Sequence, residues 1–297
     1  LSDMILNSNF EKNSFKREEQ VVIEENVMRD KEPAEQLYNG IDGVLYNGTN
    51  YSKPIDSVDY HKKLFKRDEI MKFYKTFYVP NHLILSIVSP KSFDEIKRFI
   101  NNTYFARAKR SNTNVLELTG CPIPSNEIQY KIIKSISTYV SVSFRFLTED
   151  KYIMSCLGTI LSGPMSSRLW KIMRDDAALA YGSTADCTIY EKYSDFCIYS
   201  DTDSSKILMD GSKPGVLPLT IDLVNDLLKR GVNAAELKVA KGYLNGQMTR
   251  YSENDTYLSE YNGIEAIMFP NETIVPYSKL FDRFYKEITV DDINRFM

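Results

Sequence analysis

The chain has 297 residues, of which 43% are hydrophobic and 26% charged, and its formal net charge is −3. That is the balance of a soluble globular protein long enough for two domains with full cores. The small negative charge argues against nucleic acid or an anionic membrane as the main partner, and no apolar run reaches membrane-spanning length. A cytoplasmic and an organellar location fit this composition equally.

Glu11 to Met28 lacks Gly and Pro, and Phe15, Val22 and Val27 recur near the helical period, which predicts a helix. A second helix is expected after Pro33, ending near Gly40 and Gly43, and Asn47–Asn50 reads as a loop. Asp68–Phe77 is expected to be helical, Tyr78–Asn81 a turn, and Leu83–Val88 a buried strand. Ser92 with Glu95 forms a capping box that opens another helix. The Pro-, Gly- and Ser-containing stretch at 109–125 reads as an interdomain linker between a first domain at 1–108 and a second at 126–297. Within the second, 128–133 and 140–146 alternate as strands, and Tyr152–Ile160 is an apolar helix. A loop at 161–167 precedes a short helix, 168–175. The segments 180–190 and 195–199 read as a hairpin. Helices follow at 216–229 (stopped by Gly231), 234–250 and 257–268. Helices and strands come in blocks, which points to an α+β architecture.

The sequence also repeats at one fixed offset. Tyr38-Asn39-Gly40-Ile41-Asp42 returns 223 residues later as Tyr261-Asn262-Gly263-Ile264-Glu265, and Asp68-Glu69-Ile70 with Phe73 returns as Asp291-Asp292-Ile293 with Phe296. Two blocks with one offset indicate a duplicated unit. The second copy stops where the first runs on into Tyr78-Val79-Pro80. Its first hundred residues have partners that would lie before Leu1. The chain therefore reads as the interior of a longer protein.

Few constellations carry chemistry. Glu18 and Glu25 are about two turns apart on the first helix and share a face. A solvated acidic face is the ordinary explanation. Against it, the second copy carries Lys241 and Met248 at the same places, so the fold itself does not require the carboxylates. Arg174 and Tyr181 bracket a helix-to-strand turn and are donors suited to a developing oxyanion; a surface Arg beside a half-buried Tyr is the plainer alternative. His61 and His82 are the only histidines and form no metal-binding pattern. Cys121, Cys156, Cys187 and Cys197 include no C-x-x-C pair and are expected as free thiols.

Four stretches resemble the pitrilysin/insulinase family of zinc metallopeptidases, which includes the mitochondrial processing peptidases. They are Asn9-Phe10 with Lys16–Glu25, Tyr74–Asn81, Leu161–Leu169, and Arg174 with Leu179-Ala180-Tyr181. The resemblance implies two homologous α+β domains, each a mainly antiparallel sheet packed with helices, around a chamber. It implies a zinc endopeptidase acting on peptides or unfolded segments, with a homologous subunit as a further partner. Glu25 resembles the third zinc ligand and Glu18 the carboxylate that supports it. Arg174 and Tyr181 resemble the pair that reaches the substrate. The two His ligands of Zn2+ and the general-base Glu would lie upstream of Leu1, so this chain alone is expected to be inactive. The alternative is a non-catalytic relative serving as a scaffold or substrate-recognition subunit. Relatives commonly carry Gly where this chain has Ala178.

Overall fold

The computed structural model describes every residue except 54–65, 111–128, 131, 134–136, 147–149, 191–192 and 210–212. Six helices come first: α1 (Ser2–Leu6), α2 (Lys12–Arg29), α3 (Pro33–Leu45), α4 (Arg67–Phe77), α5 (Phe93–Asn101) and α6 (Tyr104–Arg107). Then follow β1 (Thr138–Phe146), α7 (Lys151–Ser162), β2 (Ser183–Ile189), β3 (Ser194–Thr202), α8 (Val216–Arg230), α9 (Ala234–Tyr251), α10 (Asp255–Met268) and α11 (Val290–Phe296). The fold is α+β, as expected.

Local chemistry sets many of these boundaries. Pro33 opens α3, where its missing N–H costs nothing. Ser92 and Glu95 cap α5 reciprocally: the Ser92 N–H donates to Glu95 Oε2 at 2.9 Å and the Glu95 N–H to Ser92 Oγ at 3.4 Å. Asn233 and Glu236 do the same for α9. Gly231 stops α8 in the left-handed region, at φ 70°. In one place tertiary packing overrides propensity. Helix α3 runs through Gly40 and Gly43 to Leu45, although each glycine costs about 1 kcal/mol relative to Ala. Its packing on β1 compensates.

Leu83–Val88 is not the buried strand expected from its apolar run. No strand is formed there, and Ile84, Leu85 and Ile87 are exposed. A strand needs a ladder partner for its N–H and C=O groups, and none among the described residues pairs with this segment. The described residues of 128–133 are likewise outside any strand, and the linker at 109–125 lies almost wholly outside the described residues.

The 223-residue repeat is visible in the helices. Shifted by that offset, α2, α3 and the start of α4 fall on α9, α10 and α11 to within a residue. The caps repeat too. Glu69 accepts the Lys66 N–H at 2.9 Å, and Asp292, at the equivalent place, accepts the Thr289 N–H at 2.8 Å.

The chain forms two compact units. One comprises Leu1–Arg29, the described part of Ile55–Gly120, and Asn254–Ile274; the other comprises the described parts of Asp30–Pro54 and Cys121–Glu253, with Val275–Met297. Both units are discontinuous in sequence. Helix α3 of the first repeat belongs to the second unit, and its counterpart α10 belongs to the first. In the first unit, Gly263 of α10 lies against Ser86.

The second unit holds a three-stranded antiparallel sheet of order β1-β3-β2. Helix α7 covers one face. A Cβ on Gly158 would sit 3.2 Å from the Ala185 carbonyl oxygen and 3.7 Å from the Phe196 ring, so glycine permits the close approach. One turn on, Ser162 Oγ accepts the Ala185 N–H at 2.9 Å and donates to its carbonyl at 3.1 Å. Helix α3 covers the other face: the Tyr38 hydroxyl lies 2.9 Å from that of Tyr199, and the Tyr46 hydroxyl donates to Asp195. This alternation explains the cysteines. Cys187 stands opposite Phe196, so it points to the α7 face while Cys197 points to the α3 face. They cannot bridge, and both are free, as is Cys156. Burial pushes all three thiols up to about 12.

Candidate functional site

The loop after α7 leads into a helix that widens to i→i+5 hydrogen bonding over Trp170–Asp176. Its inner face carries Leu169 and Met173, both fully buried. Its outer face carries Trp170 and Arg174, four residues apart and therefore in line. At Ala178 the backbone enters the left-handed region, with φ 52°. Left-handed backbone favours glycine, the residue that the resemblance leads one to expect at this position. The turn folds the chain back, bringing Tyr181 over Arg174. The guanidinium carbon lies 4.3 Å from the centre of the Trp170 ring and 4.7 Å from that of Tyr181. Thus the structure brings Arg174 and Tyr181 together, on the surface: Tyr181 is 78% exposed. Neither side chain hydrogen-bonds to any described residue, so the guanidinium edge and the phenol hydroxyl are both uncommitted donors.

Six residues earlier, Arg168 does the opposite. Its Nε donates to Glu236 Oε1 at 2.6 Å, and one terminal nitrogen donates at 2.9 Å to both Glu236 Oε2 and the Gly231 carbonyl. Asp226 lies 3.7 Å from the other terminal nitrogen. Glu236 also accepts the Asn233 N–H at the start of α9. Burial raises the Glu236 carboxyl, but its bonds to Arg168 and Asn233 bring it below the usual range. The Ser-Ser-Arg-Leu segment is therefore pinned to the α8–α9 junction, directly before the Trp170 helix.

Glu18 and Glu25 lie on α2 as expected, but both side chains are exposed. In the second repeat, α9 packs on α7 and buries Leu237, Ala240 and Met248. The equivalent α2 residues are Ser14, Arg17 and Glu25, so this face is polar where its counterpart is apolar. Among the described residues, no three His, Cys, Asp or Glu side chains come together as a metal site. Two exposed carboxylates supply too few donors for zinc by themselves. His82 follows Pro80 in a short turn, near the Phe77 ring; His61 lies outside the described residues.

Sequence reasoning missed Trp170. The available signal was an aromatic four residues before an arginine, in a segment read as helical. It also missed the structural commitment of Arg168, whose partners lie more than sixty residues away.

The fold defines a class, the α+β domains of M16-like peptidases. A family model described as the peptidase M16 inactive domain matches residues 65–244. This chain belongs to the M16 peptidase family. The matched span contains Arg174 and Tyr181 and excludes Glu18 and Glu25. Among curated proteins, the chain is 24% identical to the uncharacterized zinc protease YmxG of Bacillus subtilis, covering 99% of this chain and 69% of that protein. It is 20% identical to the uncharacterized zinc protease Rv2782c of Mycobacterium tuberculosis, over 99% of this chain and 66% of that protein. The chain thus spans about two thirds of these relatives. Among solved structures, it resembles the peptidase M16 inactive domain from Pseudomonas fluorescens with a TM-score of 0.81 at 19% identity, covering 99% of this chain and 68% of that one. A protease from Helicobacter pylori gives 0.72 at 16% identity, with 97% and 69% covered. No described helix is long and apolar enough to cross a membrane.

Proposed function

We propose that this chain is the substrate-facing part of a zinc endopeptidase that cleaves peptides or unfolded segments. The observation that carries the reading is the adjacent pair of uncommitted donors, Arg174 and Tyr181, inside the span that matches the family. A guanidinium and a phenol side by side suit a carbonyl oxygen that gains negative charge during peptide hydrolysis. The zinc named for the relatives would polarise the carbonyl and activate water. Glu25 contributes one ligand to it and Glu18 supports that ligand, the remaining ligands coming from residues outside this chain. The repeat favours this placement. Met248 is buried on α9, and its counterpart Glu25 occupies the same position on α2. The substrate class and a homologous partner subunit belong to the same proposal.

A second reading, a non-catalytic scaffold or substrate-recognition subunit, is favoured by the matched model's description as an inactive domain. One experiment separates the two. The full-length gene product is assayed for bound zinc and for chelator-sensitive cleavage of an unstructured peptide. Stoichiometric zinc and cleavage, both lost in Glu25→Gln, support the peptidase. A folded, zinc-free protein without cleavage supports the scaffold. The 297-residue chain alone should neither hold zinc tightly nor cleave peptide.

A further inference from the structure

We infer that Trp170 is a positioning residue: its ring holds the Arg174 guanidinium in the one orientation that leaves the donor edge free for a substrate oxygen. The inference rests on the reading of Arg174 and Tyr181 as substrate donors, and adds a residue to which no role has been given.

The argument begins with the two arginines on one short stretch. Arg168 spends its donors on Glu236 and Gly231. Arg174 spends none on the described residues, although Asp175 and Asp176 follow it directly; both are exposed, and neither forms an ion pair with it. Instead it lies over two rings, its guanidinium carbon 4.3 Å from the centre of Trp170 and 4.7 Å from that of Tyr181. A guanidinium carries its N–H groups in its own plane, so contact with ring faces consumes none of its donors and leaves them free for hydrogen bonding. The rings satisfy the cation without neutralising it. A carboxylate partner would have consumed the same donors and cancelled the charge.

Each side of the stack has a different anchor. Trp170 follows Leu169 and precedes Met173, both fully buried, so its backbone is fixed by the core. Tyr181 is highly exposed and reaches Arg174 only through the left-handed turn at Ala178. Trp170 is therefore the rigid member, and indole is the strongest ring partner for a cation. A free arginine side chain samples many rotamers, and that freedom has to be lost when it engages substrate. Stacking on a fixed ring removes part of that loss beforehand, the logic of preorganisation. The alternative is that Trp170 merely fills space beside the helix.

The test uses the full-length protein with Trp170→Leu, Trp170→Phe, Arg174→Ala and the Leu/Ala double variant. Trp170→Leu should lower kcat about tenfold with KM changed less than about twofold, and Trp170→Phe should restore most of the loss, in line with a cation–π contact. In the double variant, Trp170→Leu should cost less than about twofold beyond Arg174→Ala, because the two residues act as a unit. Effects that multiply would overturn the inference, since a space-filling ring acts independently of the arginine. Trp170 is the single tryptophan of these 297 residues, and the emission missing from Trp170→Leu, taken as a difference from wild type, reports on this stack. Arg174→Ala should change that emission and raise its quenching by acrylamide about twofold, and unchanged emission would overturn the stack. Should the wild type cleave nothing, the peptidase reading fails by itself, and binding decides the inference. An unstructured peptide that perturbs Trp170 emission in the wild type but not in Arg174→Ala sustains it; emission unperturbed by peptide overturns it.

Discussion

The Tyr46 hydroxyl donates a 2.5 Å hydrogen bond to Oδ2 of Asp195, joining α3 to the central strand of the sheet across 149 residues of sequence. Tyr46 is fully buried, and Asp195 is 4% exposed. Burial raises the Asp195 carboxyl, and the Tyr46 bond works against that rise. Tyr46→Phe should keep the ring packing against Tyr51, Tyr190 and Tyr193 while stripping the carboxyl of this donor. We expect a loss of about 1–3 kcal/mol in urea unfolding, the cost of a buried group left short of a partner. A loss below a few tenths would mean that α3 is held by its apolar contacts alone.

Asp42 lies close by on α3, and its carboxyl is pushed up to about 6, first by burial and then by the charge of Asp195. The sign follows from linkage. The folded value lies above the unfolded one, so between about pH 4 and 6 the native state binds the extra proton. Stability from this group is greatest at the acid end and declines as pH rises through that window. Because Asp42 is half-exposed, the decline is on the order of 1–2 kcal/mol. Asp42→Asn should remove it, making the variant more stable than wild type at pH 7 and nearly equal at pH 4. Glu236, held low, slopes the other way in both proteins, so the difference between them isolates Asp42. Parallel pH profiles for variant and wild type would count against this assignment.

Ala178 sits at φ 52°, where a side chain costs roughly 1–2 kcal/mol and glycine costs almost nothing. Glycine's greater freedom in the unfolded chain offsets part of the gain. Ala178→Gly should therefore stabilise the second unit by up to about 1 kcal/mol, and Ala178→Val should destabilise it by more than that. Thermal melts of the three proteins give the order directly. If glycine lowers Tm, the turn before Tyr181 is not the left-handed one described.

Arg168 is half-buried and bidentate to Glu236, which itself caps α9. Arg168→Ala should cost about 3 kcal/mol or more, because it leaves a partly buried carboxylate without its cation. Lysine lacks the planar fork and should recover only a minor part. The control is Glu236→Gln in the Arg168→Ala background, which should recover stability by removing the stranded charge. If Arg168→Ala unfolds at the wild-type urea concentration, the clamp is dispensable.

Much of this architecture was legible because its signals are local. Ser92 and Glu95 lie three residues apart, Gly231 marks a helix end by its own backbone, and the hairpin of β2 and β3 is adjacent in sequence. The repeat was legible because it copies caps as well as side chains, as Glu69 and Asp292 show. What stayed hidden depends on distant partners. Leu83–Val88 carries a strand's composition, but no described segment pairs with it. Tyr46 and Asp195 look unrelated in sequence. The site was half legible. The spacing of Arg174 and Tyr181 suggested a pair, but the stack also needs Trp170 and a left-handed turn at Ala178, which an alanine does not announce. Glu18 and Glu25 lie on one helix as their spacing indicated, and their exposure within this unit matches the solvated face that the spacing alone allowed.

Tyr181 offers the sharpest test of chemistry. Its ring is required by the stack on Arg174, but its hydroxyl bonds to no described residue. Tyr181→Phe therefore removes only the donor and leaves the cation–π contact in place. If the hydroxyl serves an oxyanion, its bond strengthens as charge develops, so the loss falls on the transition state rather than on substrate binding. In the full-length protein kcat should drop by about 100-fold while KM stays within about twofold, the size seen for a single oxyanion donor. The emission of Trp170 should be unchanged, because the ring contact survives. Tyr181→Ala should lose the same catalysis and also loosen Arg174, which the tryptophan will report. A rise in KM at constant kcat would instead make Tyr181 a plain binding residue, and the pair would then recognise substrate without stabilising the reaction's charge.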